Sequence, residues 1–443
     1  MNIYDDTIVY VLAPAYYYTG GVELLHQIVS QLLGLGCKTK LVYLGDTSDP
    51  PETKAYKKYH LQCTNDIHDN NHNIFIVPET MTNILSKVSQ IQKVIWWLSV
   101  DNFLNSFKGY VSSLEEDDIK KYPLQQFFWF SQYANEITHF VQSEYARLFL
   151  KLNGIKEENI AFVEDYLSQE FIMDTLGNNI LKEDIVVYNP KKGIETTQKL
   201  MAARPEICWQ PIQNMTPQEV HNLLMRAKVY IDFGNHPGKD RIPREAAMSD
   251  CVVITGRRGA AANDIDINIP DKFKCSDNEI EAIMASIDEA LSDYDSAYKE
   301  QYAYRQRIRD DFPRFRQELV DTFQINEDVI PQWSAVVNDG AGTGIKMAQV
   351  LATTPSEFRV KFLVDDKLAN PQNTVSGIVV RKERCYLPVT EGTDIEIITS
   401  ADADFLYGEK RIMKFFAMEK QDEAQKLLVE QLRHVPKEDI LLV

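Results

Sequence analysis

The stretch Phe233–Ala260, FGNHPGKDRIPREAAMSDCVVITGRRGA, decides how the rest of the chain is read. It opens with a polar loop rich in Gly and Pro that carries His236, Lys239, Asp240, Arg241 and Arg244. A short helix is predicted to open near Glu245. A β-branched run, Cys251-Val252-Val253-Ile254, follows it and ends in Thr-Gly-Arg-Arg-Gly. Upstream, Lys228–Phe233 reads as the strand that feeds the loop, so strand, loop, helix and strand together make a βαβ unit. Such units bind ligands at the carboxyl ends of their strands, where helix N-termini point backbone N–H groups at anions. Basic side chains on the loop, with carboxylates at both ends (Asp232 and Glu245), suit a phosphate-bearing sugar.

A first βαβ unit is legible at the start of the chain. Thr7–Ala13 is an apolar run fit for a buried parallel strand. A turn with three tyrosines and the pair Gly20-Gly21 leads into a helix with Val22, Leu25, Val29 and Leu32 on one face, and Lys40–Leu44 is the next strand. The glycine pair lets backbone approach a ligand closely, and it equally suits a tight turn into a helix. Further strands are predicted at Ile74–Val77, Val94–Leu98, His139–Gln142 and Ile160–Tyr166. Asp101 and Asn102 follow the strand with the two tryptophans, as site residues or as caps of the next helix. Ser143 reads as a helix N-cap.

A second α/β region opens with Asp184–Tyr188 and the loop Asn189-Pro190-Lys191-Lys192-Gly193. Lys191 and Lys192 sit where lysines meet phosphate, or are simply solvated. Thr216-Pro217 starts an amphipathic helix. A helix over Asn278–Ser292 and a long charged helical segment over Tyr294–Phe323, interrupted at Pro313, close the region. From about Asn326 the pattern changes. Ile345–Thr353, Phe358–Val364, Gly377–Leu387 and Asp394–Ile398 read as antiparallel strands, and Lys410–Arg433 as a helical tail. The expected domains are therefore 1–166, 167–325 and a β-rich accessory region, 326–443. The chain ends on an apolar run, as a piece of a longer protein would.

Composition bounds the reading. With 443 residues the chain exceeds a single core. A net charge of −18 argues against nonspecific binding to nucleic acid or to an anionic membrane. The six cysteines have no metal-ligand spacing and read as thiols of a reducing compartment. No signal segment or membrane span is legible, so a soluble cytoplasmic protein is expected. Peripheral association with the inner face of the membrane, or with a partner enzyme through 326–443, stays open.

Two successive α/β units with ligand-suited loops resemble two facing Rossmann-like domains, the GT-B architecture. From Thr7 to about Phe323 the chain resembles the GT-B glycosyltransferases that build bacterial capsule and O-antigen polysaccharides. Thr19-Gly20-Gly21-Val22-Glu23 and Arg244-Glu245-Ala246 are similar to the large retaining group with paired glutamates, whose Gly-Gly loop lies on the acceptor side. The first glutamate of that pair would fall on Pro237. His236-Pro237 instead resembles the His-Pro pair of enzymes using CMP-linked acidic sugars, and the run His236 to Glu245 resembles the Kdo transferases.

The resemblance implies transfer of Kdo from CMP-Kdo to a glycan or lipid-linked oligosaccharide. The alternatives are a nucleoside-diphosphate sugar donor, an epimerase or hydrolase of the same architecture, and a degenerate module that binds glycan or a partner enzyme. Negative charge on the leaving phosphate would be met by Lys191, Lys192, His236, Lys239, Arg241 and Arg244. Glu245 would hold the ribose or merely favour its helix dipole. Asp232 would be the nucleophile of a retaining reaction, or a strand-end carboxylate bonding its own loop. Asp101 would be the base of an inverting one. No cofactor and no metal are expected, although Asp264-Ile265-Asp266 has the spacing of metal-dependent transferases.

Overall fold

The computed structural model describes residues 1–45, 54–59, 61, 63–113, 132–167, 171 and 180–325, together with five short strands further on. The chain forms two compact units. One joins Asp5–Ile67 to Gln324–Val443; the other joins Met1–Tyr4 to His68–Phe323. The change of character expected at 325 falls beside this division, whereas the expected boundary at 166 lies inside the larger unit.

In the smaller unit, β1 (Ile8–Pro14) pairs in parallel with β2 (Lys38–Leu44). Helix α1 (Gly20–Gly34) lies between them in the chain. The Thr19 hydroxyl caps α1 by accepting from the Val22 N–H at 3.3 Å. Beyond residue 325, Trp333–Val337 and Val360–Val364 flank Ile378–Lys382 in an antiparallel sheet. Ile395–Ile398 pairs with Ile412–Phe415. This second pair corrects the expected helical tail at its start, because strand pairing over 412–415 overrides local helix propensity. The remainder of that tail and the expected strand Ile345–Thr353 lie outside the described residues.

The larger unit holds two parallel sheets. In the first, β3 (Ile74–Pro78), β4 (Gln92–Trp97), β5 (Thr138–Val141) and β6 (Ile160–Phe162) lie side by side in chain order. Helix α2 (Val100–Ser113) follows β4, and α3 (Glu144–Leu152) follows β5. Ser143 caps α3 as expected, accepting from the Ala146 N–H at 3.2 Å. Trp96 and Trp97 are fully buried, so their indole N–H groups require partners. Trp96 donates to the Val163 carbonyl at 2.9 Å and Trp97 to His139 Nδ1 at 3.1 Å. Burial depresses the His139 pKa to about 4, and the ring's other nitrogen donates to the Ala134 carbonyl at 2.8 Å.

The second sheet is built from β7 (Glu183–Tyr188), β8 (Cys208–Pro211), β9 (Ala227–Asp232) and β10 (Val252–Thr255), in the spatial order β10-β9-β7-β8. Helices α4 (Ile194–Ala203), α5 (Pro217–Arg226) and α6 (Arg241–Met248) connect these strands. Thr216 opens α5 with a capping box: its N–H donates to Glu219 Oε2 at 2.7 Å, and the Glu219 N–H donates to its hydroxyl at 3.3 Å. The chain leaves β7 for β8 on one side and then crosses to β9 on the other. A crevice therefore opens at the carboxyl ends of β7 and β9, the topological switch point at which such sheets bind ligands.

Helices α7 (Ile280–Ser292), α8 (Tyr294–Glu300), α9 (Tyr302–Arg309) and α10 (Asp311–Thr322) complete the unit. The long charged segment thus breaks at Gln301 and Asp310 and not at Pro313. Pro313 lies in the first turn of α10, where a missing N–H loses no helical bond. Gln301 has a different task. Its side chain accepts from the Val253 N–H at 2.9 Å and donates to the Val253 carbonyl at 2.8 Å, covering the edge of β10. Among the described residues no helix is long and apolar enough to cross a membrane.

One buried carboxyl generates a stability prediction. Glu79, just past β3, is 3% exposed and accepts from the Leu98 N–H at 3.0 Å. Burial raises its pKa from 4.5 to about 8. The folded state thus holds a proton that the unfolded state releases, and stability is lost as pH rises from 4.5 towards 8. Glu79→Gln is expected to flatten this loss, whose slope is at most about 1.4 kcal/mol per pH unit. Urea unfolding of both proteins across that range checks it; parallel curves would refute it.

Candidate functional site

The site is built where the loops after β7 and β9 meet. Gly193, with φ +58°, ends the first loop, and a Cβ there would lie 2.5 Å from the Phe233 carbonyl carbon. Only a residue without a side chain combines that backbone with that approach. The contact brings the Lys192 ammonium onto the Asp240 carboxylate. Asp240 is the N-cap residue of α6, and its side chain makes no capping bond. Burial alone would raise the Asp240 carboxyl, but His236 and Lys192 beside it hold it below its ordinary range.

Asp232, at the end of β9, is 2% exposed. One of its oxygens accepts from the Gly234 N–H at 3.0 Å and the other from the Tyr230 hydroxyl at 3.0 Å. It binds its own loop, and in this arrangement it presents no open face to a sugar; the nucleophile expected there is not placed to attack. His236 is completely enclosed. Its Nε2 lies 3.6 Å from Asp232 and its Nδ1 3.0 Å from Asp240. The expected direct contact of this ring with a donor phosphate therefore has no open side. The His236 carbonyl accepts from the Ala260 N–H at 2.8 Å, which ties the loop after β9 to the one after β10.

Two of the expected phosphate ligands are structural. The Lys239 ammonium is buried between Glu164 at 2.6 Å and Asp311 at 2.8 Å. Arg244, 2% exposed, pairs with Asp165 at 2.6 Å and Asp311 at 3.2 Å. Arg307 and Arg314 join the same cluster through Glu164, at 2.8 and 3.4 Å. Burial would lower the Lys239 pKa, yet Asp311 and Glu164 outweigh it and raise it. Lys239 and Arg244 are spent on carboxylates of the segment after β6 and of α10, and neither is left to meet a ligand.

The other expected residues lie nearer the surface. Lys191 is exposed, and its N–H donates to the Asn189 side chain at 3.0 Å. Lys192 and Arg241 are partly exposed, with Arg241 3.7 Å from Glu245 on the next turn of α6. Asp101, half-buried in the first turn of α2, accepts from the Tyr145 hydroxyl at 3.2 Å and from the Asn235 amide. The alternative of a cap falls to Ser99, whose hydroxyl accepts from the Asn102 N–H at 3.1 Å. Gly20 and Gly21 are the first two residues of α1, in the smaller unit.

The loop after β9 also reaches the first sheet. The Val100 N–H donates to the Pro237 carbonyl at 3.1 Å, and the Lys239 N–H to Gln142 Oε1 at 3.3 Å. A Cβ at Gly238 would lie 2.5 Å from that same oxygen. Gln142, Asn235, Asp240 and Arg258 were not expected in the site. Arg258 donates to the Phe233 carbonyl at 2.5 Å and pairs with Asp277. Its one sequence signal is the Thr-Gly-Arg-Arg-Gly turn after β10. Asp264-Ile265-Asp266 has other duties: Asp264 pairs with Lys274 at 2.7 Å, and Asp266 accepts from the Glu144 and Tyr145 N–H groups at the start of α3, at 2.8 and 2.9 Å.

No protein-family model and no curated protein matches the sequence. Solved structures similar in shape include a glycosyltransferase from Rickettsia africae, with 17% identity over 72% of this chain and 98% of the other and a TM-score of 0.49. Sucrose-phosphate synthase from Thermosynechococcus elongatus gives 12% identity, 72% and 98% coverage, and a TM-score of 0.49. HepE from Anabaena, in complex with UDP-glucose, gives 11% identity, 72% and 99% coverage, and a TM-score of 0.47.

Three substitutions test this geometry. Gly193→Ala is expected to cost more than about 2 kcal/mol, because it adds a steric clash to the penalty of about 1–2 kcal/mol for a left-handed backbone. Gly154→Ala, with φ +84° and open space around it, is expected to cost about 1 kcal/mol. Equal losses in denaturant unfolding would contradict the interlock. Lys239→Met leaves Glu164 and Asp311 without their central cation and is expected to cost about 3–5 kcal/mol; a loss under about 1 kcal/mol would mean that the cluster is solvated.

Proposed function

We propose that this chain is a GT-B-type glycosyltransferase that binds a nucleotide-sugar donor at the carboxyl ends of β7 and β9. The observation that carries the reading is the meeting of two loops at the switch point of a doubly wound sheet, with Lys192 before α4 and Arg241 at the start of α6. Two helix N-termini and two partly exposed cations favour a phosphate there. Glu245, one turn into α6, is the carboxylate for the ribose hydroxyls. Asp101 takes the role of general base towards an acceptor hydroxyl, since it is half-buried and held against the donor loop by Asn235. The acceptor in this reading is a glycan or lipid-linked oligosaccharide. Lys191, exposed on the same loop as Lys192, adds positive potential without a fixed partner in this role.

For the donor, the His236-Pro237 pair favours CMP-Kdo. A nucleoside-diphosphate sugar is the second reading, and the enclosure of His236 favours it: the exposed cations of the site are then Lys192, Arg241 and Arg258, a set that suits a diphosphate. A thermal-shift panel of CMP, CDP, UDP, GDP, ADP and TDP separates the two, because a ligand of the native state raises the melting temperature by mass action. Stabilisation by CMP that is lost in His236→Ala supports the first reading. A diphosphate that stabilises wild type and not Lys192→Met supports the second. No shift with any nucleotide overturns both.

A further inference from the structure

The enclosed side chains at the switch point carry a second reading that goes beyond donor binding. Asp232, His236 and Asp240 recur at every fourth position along one loop, and the fold brings one ligand atom from each to within 4.8 Å of the others. Two carboxylates close together would repel one another, and the buried group between them is His236. That ring is 0% exposed, and neither of its nitrogens makes a hydrogen bond, despite the nearness of both carboxylates. A buried polar atom without a partner is rare enough in a folded protein to require an explanation, a bound ion among them.

We infer that Asp232, His236 and Asp240 form a binding site for a divalent cation of the Mn2+ or Zn2+ class. Two carboxylate oxygens and one imidazole nitrogen are the mixed donor set that such ions accept. With metal–ligand bonds of about 2.0–2.2 Å, a small rotation of one carboxylate closes the set around a single ion. The Gly234 N–H and Tyr230 hydroxyl bonded to Asp232 orient that carboxylate from behind, as second-layer partners orient metal ligands. The open side is the one shared by Asp240 and Lys192, where phosphate oxygens or water complete the coordination. Lys192, paired with Asp240, holds the place of a competing cation. The carboxylates of Asp264 and Asp266, although correctly spaced in sequence, are engaged elsewhere.

The experiment is a titration of the full chain with Mn2+, without nucleotide, followed by the loss of the free-ion paramagnetic resonance signal. One saturable ion per chain is expected in wild type. His236→Ala and Asp240→Asn are each expected to weaken binding by at least about tenfold, since even second-layer changes cost that much. Lys192→Met removes the competing charge and is expected to tighten binding. Asp240→Asn preserves side-chain volume, so it reports on the site even where His236→Ala fails to fold by circular dichroism. Absence of saturable binding in wild type, or equal binding in wild type and Asp240→Asn, overturns the assignment. Because nucleotide is absent throughout, either outcome leaves the donor reading to its own test.

Discussion

The larger unit depends on one buried cluster of charges. Lys239 and Arg244 come from the loop after β9 and from α6, Glu164 and Asp165 from the segment that leaves the first sheet, and Asp311 from the start of α10. Each ion has lost most of its water, so each is tolerable only while its partners stay in place. That makes the cluster a constraint on geometry more than a source of stability. Three parts of the chain that are distant in sequence must arrive together, or leave a bare charge in a low-dielectric interior. The loop carrying His236 and Asp240 is consequently held at both ends: by the cluster, through Lys239, and by the strand, through Asp232.

This division of labour explains which features were legible in the sequence. Strands and helices of both sheets were readable because their apolar runs and caps are local signals: Ser143 and Thr216 sit at helix starts and bond within three residues. The identity of a cation's partner is not local. Lys239 meets Glu164 across 75 positions and Arg244 meets Asp165 across 79, and a basic residue in a polar loop looks the same whether it awaits a phosphate or a carboxylate. The same applies to Asp264 and Asp266. Their spacing suggests a metal, while their partners in space, Lys274 and the amides of α3, carry no mark in the sequence around them.

The switch point shows the opposite case. Strand order follows from chain connectivity and from the preference for right-handed crossovers, so the location of a ligand crevice was readable once βαβ units were recognised. What was not readable is how tightly the two loops close there. Gly193 against Phe233, and Gly238 against Gln142, bring main chain to within the reach of a single methyl group. That closeness encloses His236 and Asp232 and leaves Lys192, Arg241 and Asp101 as the groups at the margin. A site assigned from residue types alone overstates how many of them can reach a ligand.

The position of Asp311 at the start of α10 has a consequence for how the chain matures. Synthesis delivers Glu164 and Asp165 first, Lys239 and Arg244 after about another 75 residues, and Asp311 only after about another 70. Until α10 has left the ribosome, the second sheet can be fully translated while one of the acids that neutralise the loop after β9 is still missing. The loop therefore acquires its final surroundings only with α10, although its residues lie in the middle of the chain. Contacts so distant in sequence close slowly, and a nascent chain truncated before Asp311 would carry well-formed strands around an unfinished site.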